Sequence, residues 1–149
     1  MQIKIKSIAA LLTAGLLVAG AGFTHAATIT NADTSATLNL GTAWVGGVVP
    51  TAANVAVWDS TVQANLSKTL GASTAWAGIQ ELNPGGPVVI NADGNSLTLG
   101  ASGIDLSLAT NSLTLDNPVV LGAIQTWNVT NGQTLTVGGA ISGYCAIGN

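Results

Sequence analysis

The sequence predicts an all-β chain whose short strands stack as a parallel β-solenoid, and three observations carry that expectation. Apolar and polar residues alternate in short runs: Ser96-Leu97-Thr98-Leu99, Ile104-Asp105-Leu106-Ser107-Leu108, Ser112-Leu113-Thr114-Leu115, Trp127-Asn128-Val129-Thr130 and Thr134-Leu135-Thr136-Val137. A period of two is the mark of a half-buried strand. The runs are separated by Gly, Asn and Pro, which turn the chain tightly. Similar strands also recur. Pro87-Val88-Val89-Ile90 returns as Pro118-Val119-Val120-Leu121, 31 residues further on, and the same shift lays Ile104-Asp105-Leu106 on Leu135-Thr136-Val137. Ser96–Leu99 meets Thr126–Val129 at a shift of 30, and Asn95–Leu99 is echoed by Asn111–Leu115 at 16. Recurrence on short strands is what a stacked solenoid needs, because each coil buries its apolar edge against a neighbour.

The elements follow in order along the 149 residues. Lys4 and Lys6 form a basic start, Ile8 to Phe23 an apolar run, and Thr24-His25-Ala26 a small-x-small site before Ala27. Residues 1–26 therefore read as a secretory signal peptide cleaved between Ala26 and Ala27. The run is too short, and too broken by Gly15, Gly20 and Gly22, to read as a membrane span. Residues 27–86 read as an N-terminal capping or irregular β segment. Within it, Leu66 to Leu82 reads as strand and loop, since Gly71, Gly78, Thr69, Thr74, Trp76 and Ile79 oppose a helix. Residues 87–143 read as the solenoid repeats. The Pro-Val-Val runs are apolar throughout, as expected of strands with little water on either face. Residues 144–149 form an atypical tail.

An antiparallel β-sandwich is the rival architecture, because Asp93-Gly94 and Asn131-Gly132 are favoured hairpin dipeptides. A two-residue turn at Asn131-Gly132 sets Val129 against Thr134 and Trp127 against Thr136, which pairs apolar with polar on one face. Around Asp93-Gly94 the register is acceptable. The recurrence of strands tips the balance toward the solenoid, with these dipeptides as tight corners.

Charge excludes more than it suggests. Charged residues are 6% of the chain, against about 25% in an ordinary domain. Once the leader is removed, Lys68 stands alone against Asp33, Asp59, Glu81, Asp93, Asp105 and Asp116, with neither Arg nor His. Such a chain lacks the basic patch that nucleic-acid binding requires, and it lacks histidine-based triads, histidine metal ligands and arginine clamps. No catalytic residue, cofactor or metal is expected. Asp105 and Asp116 are the one pair worth weighing as glycosidase carboxylates stacked on an exposed face, and solvated acids are the favoured alternative. Asp93 and Asn95 resemble calcium ligands only weakly, without the repeat or loop that calcium sites use. Trp44 and Trp58 are candidate carbohydrate contacts, although tryptophans before the repeats fit core or cap better. Cys145 is a lone thiol with no basic neighbour in sequence, which favours an incidental role over a nucleophile or intermolecular bridge. Asn65-Leu66-Ser67 and Asn128-Val129-Thr130 fit the glycan acceptor pattern.

The run Trp76-Ala77-Gly78-Ile79-Gln80, Asn83-Pro84-Gly85-Gly86, Leu97-Thr98-Leu99-Gly100, Trp127-Asn128-Val129 and Gln133 through Gly143 resembles the autotransporter-associated β-strand repeat proteins of bacteria. The resemblance spans roughly Trp44 to Gly143. It implies a right-handed parallel β-helix exported to the cell surface, and members commonly continue into further Leu-Thr-Leu repeats and an outer-membrane barrel. Tyr144–Asn149 departs from that pattern, which suggests a truncated or frame-shifted reading of a longer protein. The expected function is a secreted or cell-surface structural or adhesive module without catalytic activity, located outside the cell or in the periplasm. Its expected partners are extracellular matrix or polysaccharide, and its last coil is a candidate for edge-to-edge self-association. A carbohydrate-binding or carbohydrate-cleaving β-helix is the alternative, and a fragment without separate function is a third.

Overall fold

The computed structural model describes residues 25–143. The leader through Thr24 and the tail 144–149, including Cys145, lie outside the described residues. Eleven strands follow one another: β1 (Ala27–Thr30), β2 (Asn54–Trp58), β3 (Ser67–Thr69), β4 (Thr74–Glu81), β5 (Val88–Asn91), β6 (Leu97–Leu106), β7 (Leu113–Leu115), β8 (Val119–Leu121), β9 (Trp127–Val129), β10 (Leu135–Val137) and β11 (Ile141–Gly143). One sheet runs β1-β2-β4-β6-β8-β11 with β9 also on β6, and the other runs β10-β7-β5-β3. Every ladder among the described strands is parallel. The chain is a β-solenoid.

Each coil turns through three faces. Thr74–Trp76 of β4, Leu97–Leu99 of β6, β8 and β11 stack as the first face. After a bulge between Trp76 and Gly78, the remainder of β4 and β6 stacks with β1, β2 and β9 as the second. The short strands β3, β5, β7 and β10 make the third. Alternation decides what faces in. Leu97 lies on Val119 and Ile141, Ile79 on Ile104 and Trp127, Ile90 on Leu115 and Val137. The intervening Thr98, Thr114 and Thr136 face out. Each fully buried aliphatic side chain in these columns stabilises the fold by about 1.5–3 kcal/mol.

The period of the coil differs from the sequence expectation. Partners stacked within the repeats lie 22 to 25 residues apart, as in Leu97 with Val119 and Val88 with Leu113. The 31-residue shift instead relates Val88 of the third face to Val119 of the first, skipping the coil of Leu97–Leu115 between them. The antiparallel alternative is overturned, since the one antiparallel contact among the described residues is the isolated bridge Asn31 with Trp44. Gly94 (φ 81°) and Gly132 (φ 90°) turn corners between parallel strands, so both dipeptides act as corners and neither closes a hairpin. At the first corner, Asp93 accepts the Gly71 N–H at 2.6 Å and the Asn117 amide at 2.9 Å, which ties three successive coils together.

Parallel stacking extends back to Ala27, with β1 on β2 and β2 on β4. Between β1 and β2 the chain crosses the end of the stack. Leu38 and Asn39 donate their N–H groups to the carbonyls of Thr69 and Leu70, covering the free edge of β3 at 3.0 and 2.9 Å. Two 3₁₀ turns, Gly41–Ala43 and Val45–Gly47, then place Trp44 over the interior. Trp44 meets Trp58 and Trp76 edge to face, with centroids 5.8 and 5.7 Å apart. This aromatic plug closes the N-terminal end.

Candidate functional site

The sequence-predicted residues do not gather into one site. Trp44 and Trp58 are 2% and 0% exposed, and their rings pack on each other, so neither offers a face to a sugar. The carbohydrate-contact expectation for these two residues is corrected by their burial. Trp44 Nε1 donates to the Leu38 carbonyl at 2.8 Å, which fixes the ring as part of the cap. Asp105 lies on β6 in the larger sheet, whereas Asp116 follows β7 in the smaller one. The two acids therefore sit on different faces, and the proposed carboxylate pair does not form.

Asp93 is occupied as a corner bracket. Partial burial raises its pKa, but the Gly71 N–H, Asn95 and Asn117 outweigh that effect and hold the carboxyl below its ordinary value. All its short contacts are donors. Among the described residues, no three His, Cys, Asp or Glu side chains converge in a metal-binding group. Ala26 and Ala27 adjoin at the start of β1, with Ala27 its first residue.

Two charged side chains point into the coil, and alternation alone did not single them out. Lys68 takes the inward position that Ile90 holds one coil on. Its ammonium donates to the carbonyls of Ala32 (3.1 Å) and Thr34 (2.6 Å) in the cap. Burial lowers its pKa, and the charge of Asp33 offsets part of that effect. Asp33 in turn accepts the N–H of Asn65 at 2.7 Å and its side-chain amide at 2.9 Å. These contacts, led by the Asn65 N–H, hold its carboxyl down at about 2. The two residues fasten the crossing segment to β3.

Glu81 is the second. It ends β4, is 1% exposed, and neither carboxylate oxygen has a hydrogen-bond partner among the described residues. Trp58 pairs with it on one side, and Leu106 follows in register on the other. Burial pushes its pKa up to about 7. A signal was present in Ile79-Gln80-Glu81, whose alternation continues inward to position 81.

A concave feature of the surface lies on the outer side of the second face. A cleft of about 400 Å³ lined by His25, Ala27, Ala77 and Ser102 adjoins one of about 100 Å³ lined by Thr28, Val55, Gln80, Ser102 and Asp105. The bulge opens it. Gly103 sits at φ 63°, and a Cβ there would collide with the Thr126 carbonyl, so the backbone comes close to its neighbour only with glycine. Asp105 accepts the Ser107 N–H at 3.0 Å and faces the Gln80 amide at 3.4 Å. Ser107, first through its hydroxyl, holds the Asp105 carboxyl below the ordinary range against partial burial. The cleft thus presents one ionised carboxylate, an amide and two hydroxyls around a valine, which suits hydroxyl-rich ligands. A second acid at glycosidase separation is missing from its lining. His25 and Ala26 precede the expected cleavage point, so their removal would widen the cleft.

Compared with protein-family models, curated proteins and solved structures, the chain matches none.

Proposed function

We propose that the chain is an exported, structural or adhesive β-solenoid module of a bacterial cell surface or periplasm, without catalytic activity. The observation that carries the reading is the three-faced parallel stack, whose outward rows mix polar and small apolar residues: Ala75, Thr98, Val120 and Ser142 on the first face, Gln80, Asp105 and Asn128 on the second, Val89, Thr114 and Thr136 on the third. Stacked ladders make a stiff body, because bending it would break hydrogen bonds on all three faces at once. The hydroxyl, amide and carboxylate side chains in these rows offer many weak contacts to matrix or polysaccharide, the pattern expected of adhesion. The resemblance to autotransporter-associated β-strand repeat proteins and the leader-like residues 1–26 support export.

The cleft beside Asp105 favours a second reading, a carbohydrate-binding solenoid. One experiment separates the two. The purified chain is passed over wells coated with plant and algal polysaccharides, and soluble sugar is assayed afterwards. An adhesive module is retained with little dependence on Asp105 and releases no product. Retention lost in Asp105→Ala or Gln80→Ala would replace it by the binding reading. Sugar release abolished by Asp105→Asn would overturn the non-enzyme reading outright.

A further inference from the structure

We infer that the leader must be cut off before β1 docks, because the folded chain shields its own cleavage junction. The inference rests on the reading of residues 1–26 as a leader. Hydrolysis of the Ala26–Ala27 bond adds water across the amide, so that Ala26 ends in a new carboxylate and Ala27 begins with a new amine. The endopeptidase that performs it draws the residues on both sides of the bond into its own cleft as extended chain. Cleavage at a site held within a fold therefore waits on local opening.

No spacer separates the junction from the fold. Ala27 is already in the ladder, opposite Asn54, and Thr28, Ile29 and Thr30 follow on Val55, Ala56 and Val57. Ile29 packs against the main core, in the column of Ala56 and Ile79. On the other side of the bond, Ala26 packs against a separate apolar cluster of Val55, Val57 and Ala77, which are 8%, 4% and 7% exposed. The far end of the segment is fastened as well. Asn31 donates its N–H to the Val57 carbonyl at 2.8 Å, Lys68 holds the carbonyls of Ala32 and Thr34, and Asp33 is held by Asn65. Presenting the junction to an enzyme thus means peeling β1 from β2, pulling Ile29 out of the core and lifting Ala26 from its cluster.

The order of the two events also sets the state of the cleft beside Asp105, which His25 and Ala26 help to line. A chain that folds first keeps both residues there. A chain that is cut first folds with that part of the cleft open.

Cleavage by purified signal peptidase in detergent micelles tests this on a synthetic peptide of residues 1–34, on the folded full chain, and on the full chain with a flexible Gly-Ser spacer inserted between Ala27 and Thr28. Circular dichroism confirms the β fold of both chains. The peptide is expected to be cut, and the folded chain to be cut more slowly by about ten-fold or more. The spacer moves the junction clear of the ladder without altering it, so that variant is expected to be cut at close to the rate of the peptide. A folded chain cut as fast as the peptide overturns the inference, as does a spacer variant as resistant as the wild type. A peptide left uncut overturns the leader reading itself, and the inference with it.

Discussion

Replacing Glu81 by leucine should stabilise the fold, and increasingly so as pH rises. The side chain is enclosed between Trp58 and Leu106, neither of which titrates, and no donor among the described residues reaches its oxygens. Burying an ionised carboxyl without a partner is costly, so the fold retains the proton up to about 7 against an ordinary 4.5. At about 1.4 kcal/mol per pH unit, that interval amounts to about 3 kcal/mol. The sign follows from proton binding. Between pH 4.5 and 7 the unfolded chain has released a proton that the folded chain still holds, so stability is full below 4.5, falls through that window and levels off above it. Glu81→Gln has no proton to lose and should be flat over the same range, close to the wild type at pH 4.5. Glu81→Leu removes the unpaired polar group as well, and continues the aliphatic column of Leu106. At pH 8 it should exceed the wild type by about 3 kcal/mol or more, on the order of 10 °C in Tm for a domain of this size. Urea melts followed by circular dichroism at pH 5, 6, 7 and 8 measure the effect. A wild type whose stability is level or rising across that series, or a leucine variant no more stable at pH 8, would refute the reasoning.

Asp33 should contribute to the acid side of the profile, alongside Asp93 and Asp105, whose carboxyls are also held below their ordinary values. The Asp33 carboxyl titrates at about 2 in the fold against an ordinary 3.8, so the stability it contributes is present above 3.8 and lost as pH falls toward 2; Asp33→Ala should blunt that limb in an acid titration of the far-ultraviolet signal. Gly103→Ala forces a Cβ against the Thr126 carbonyl at positive φ and should cost about 1–3 kcal/mol in urea melts. Trp58→Ala removes a fully buried ring from the aromatic plug and should cost about 3–5 kcal/mol. Because the ring is enclosed, polysaccharide retention by whatever fraction remains folded should be unchanged.

The fold was legible in the sequence where the local rule was strong. Leu97-Thr98-Leu99, Leu113-Thr114-Leu115, Trp127-Asn128-Val129 and Leu135-Thr136-Val137 each announce a strand with its inward side, and each is one. The coil length was not legible, and the reason is visible in the same residues. The three faces of one coil obey the same local rule, so a segment resembles strands on other faces as closely as its own stacking partner. The echo at 16 residues joins Leu97–Leu99 and Leu113–Leu115, the first and third faces of one coil. The shift of 30 joins a first-face strand to a second-face strand, and that of 31 joins β5 to β8 across the two sheets. Sequence similarity reports that a segment is a strand; only the ladder reports which strand lies beneath it.

The buried charges follow from the position of a coil in the stack. An inward residue in a middle coil has apolar neighbours above and below, and selection of leucine or isoleucine there keeps the column dry. Lys68 stands in such a column, but its coil lies next to the crossing segment, whose Ala32 and Thr34 carbonyls need donors. A long side chain with an ammonium at its tip can fill the column with its stem and satisfy the cap with its head. Its surroundings, Ser67 and Thr69, are polar as well, so the period of two vanishes where the inward position changes its chemistry. Glu81 has no such compensation among the described residues, with Trp58 and Leu106 as its stacked neighbours. Its burial is a cost that a leucine would remove, which makes position 81 the place where the alternating pattern and the stability of the fold most plainly disagree.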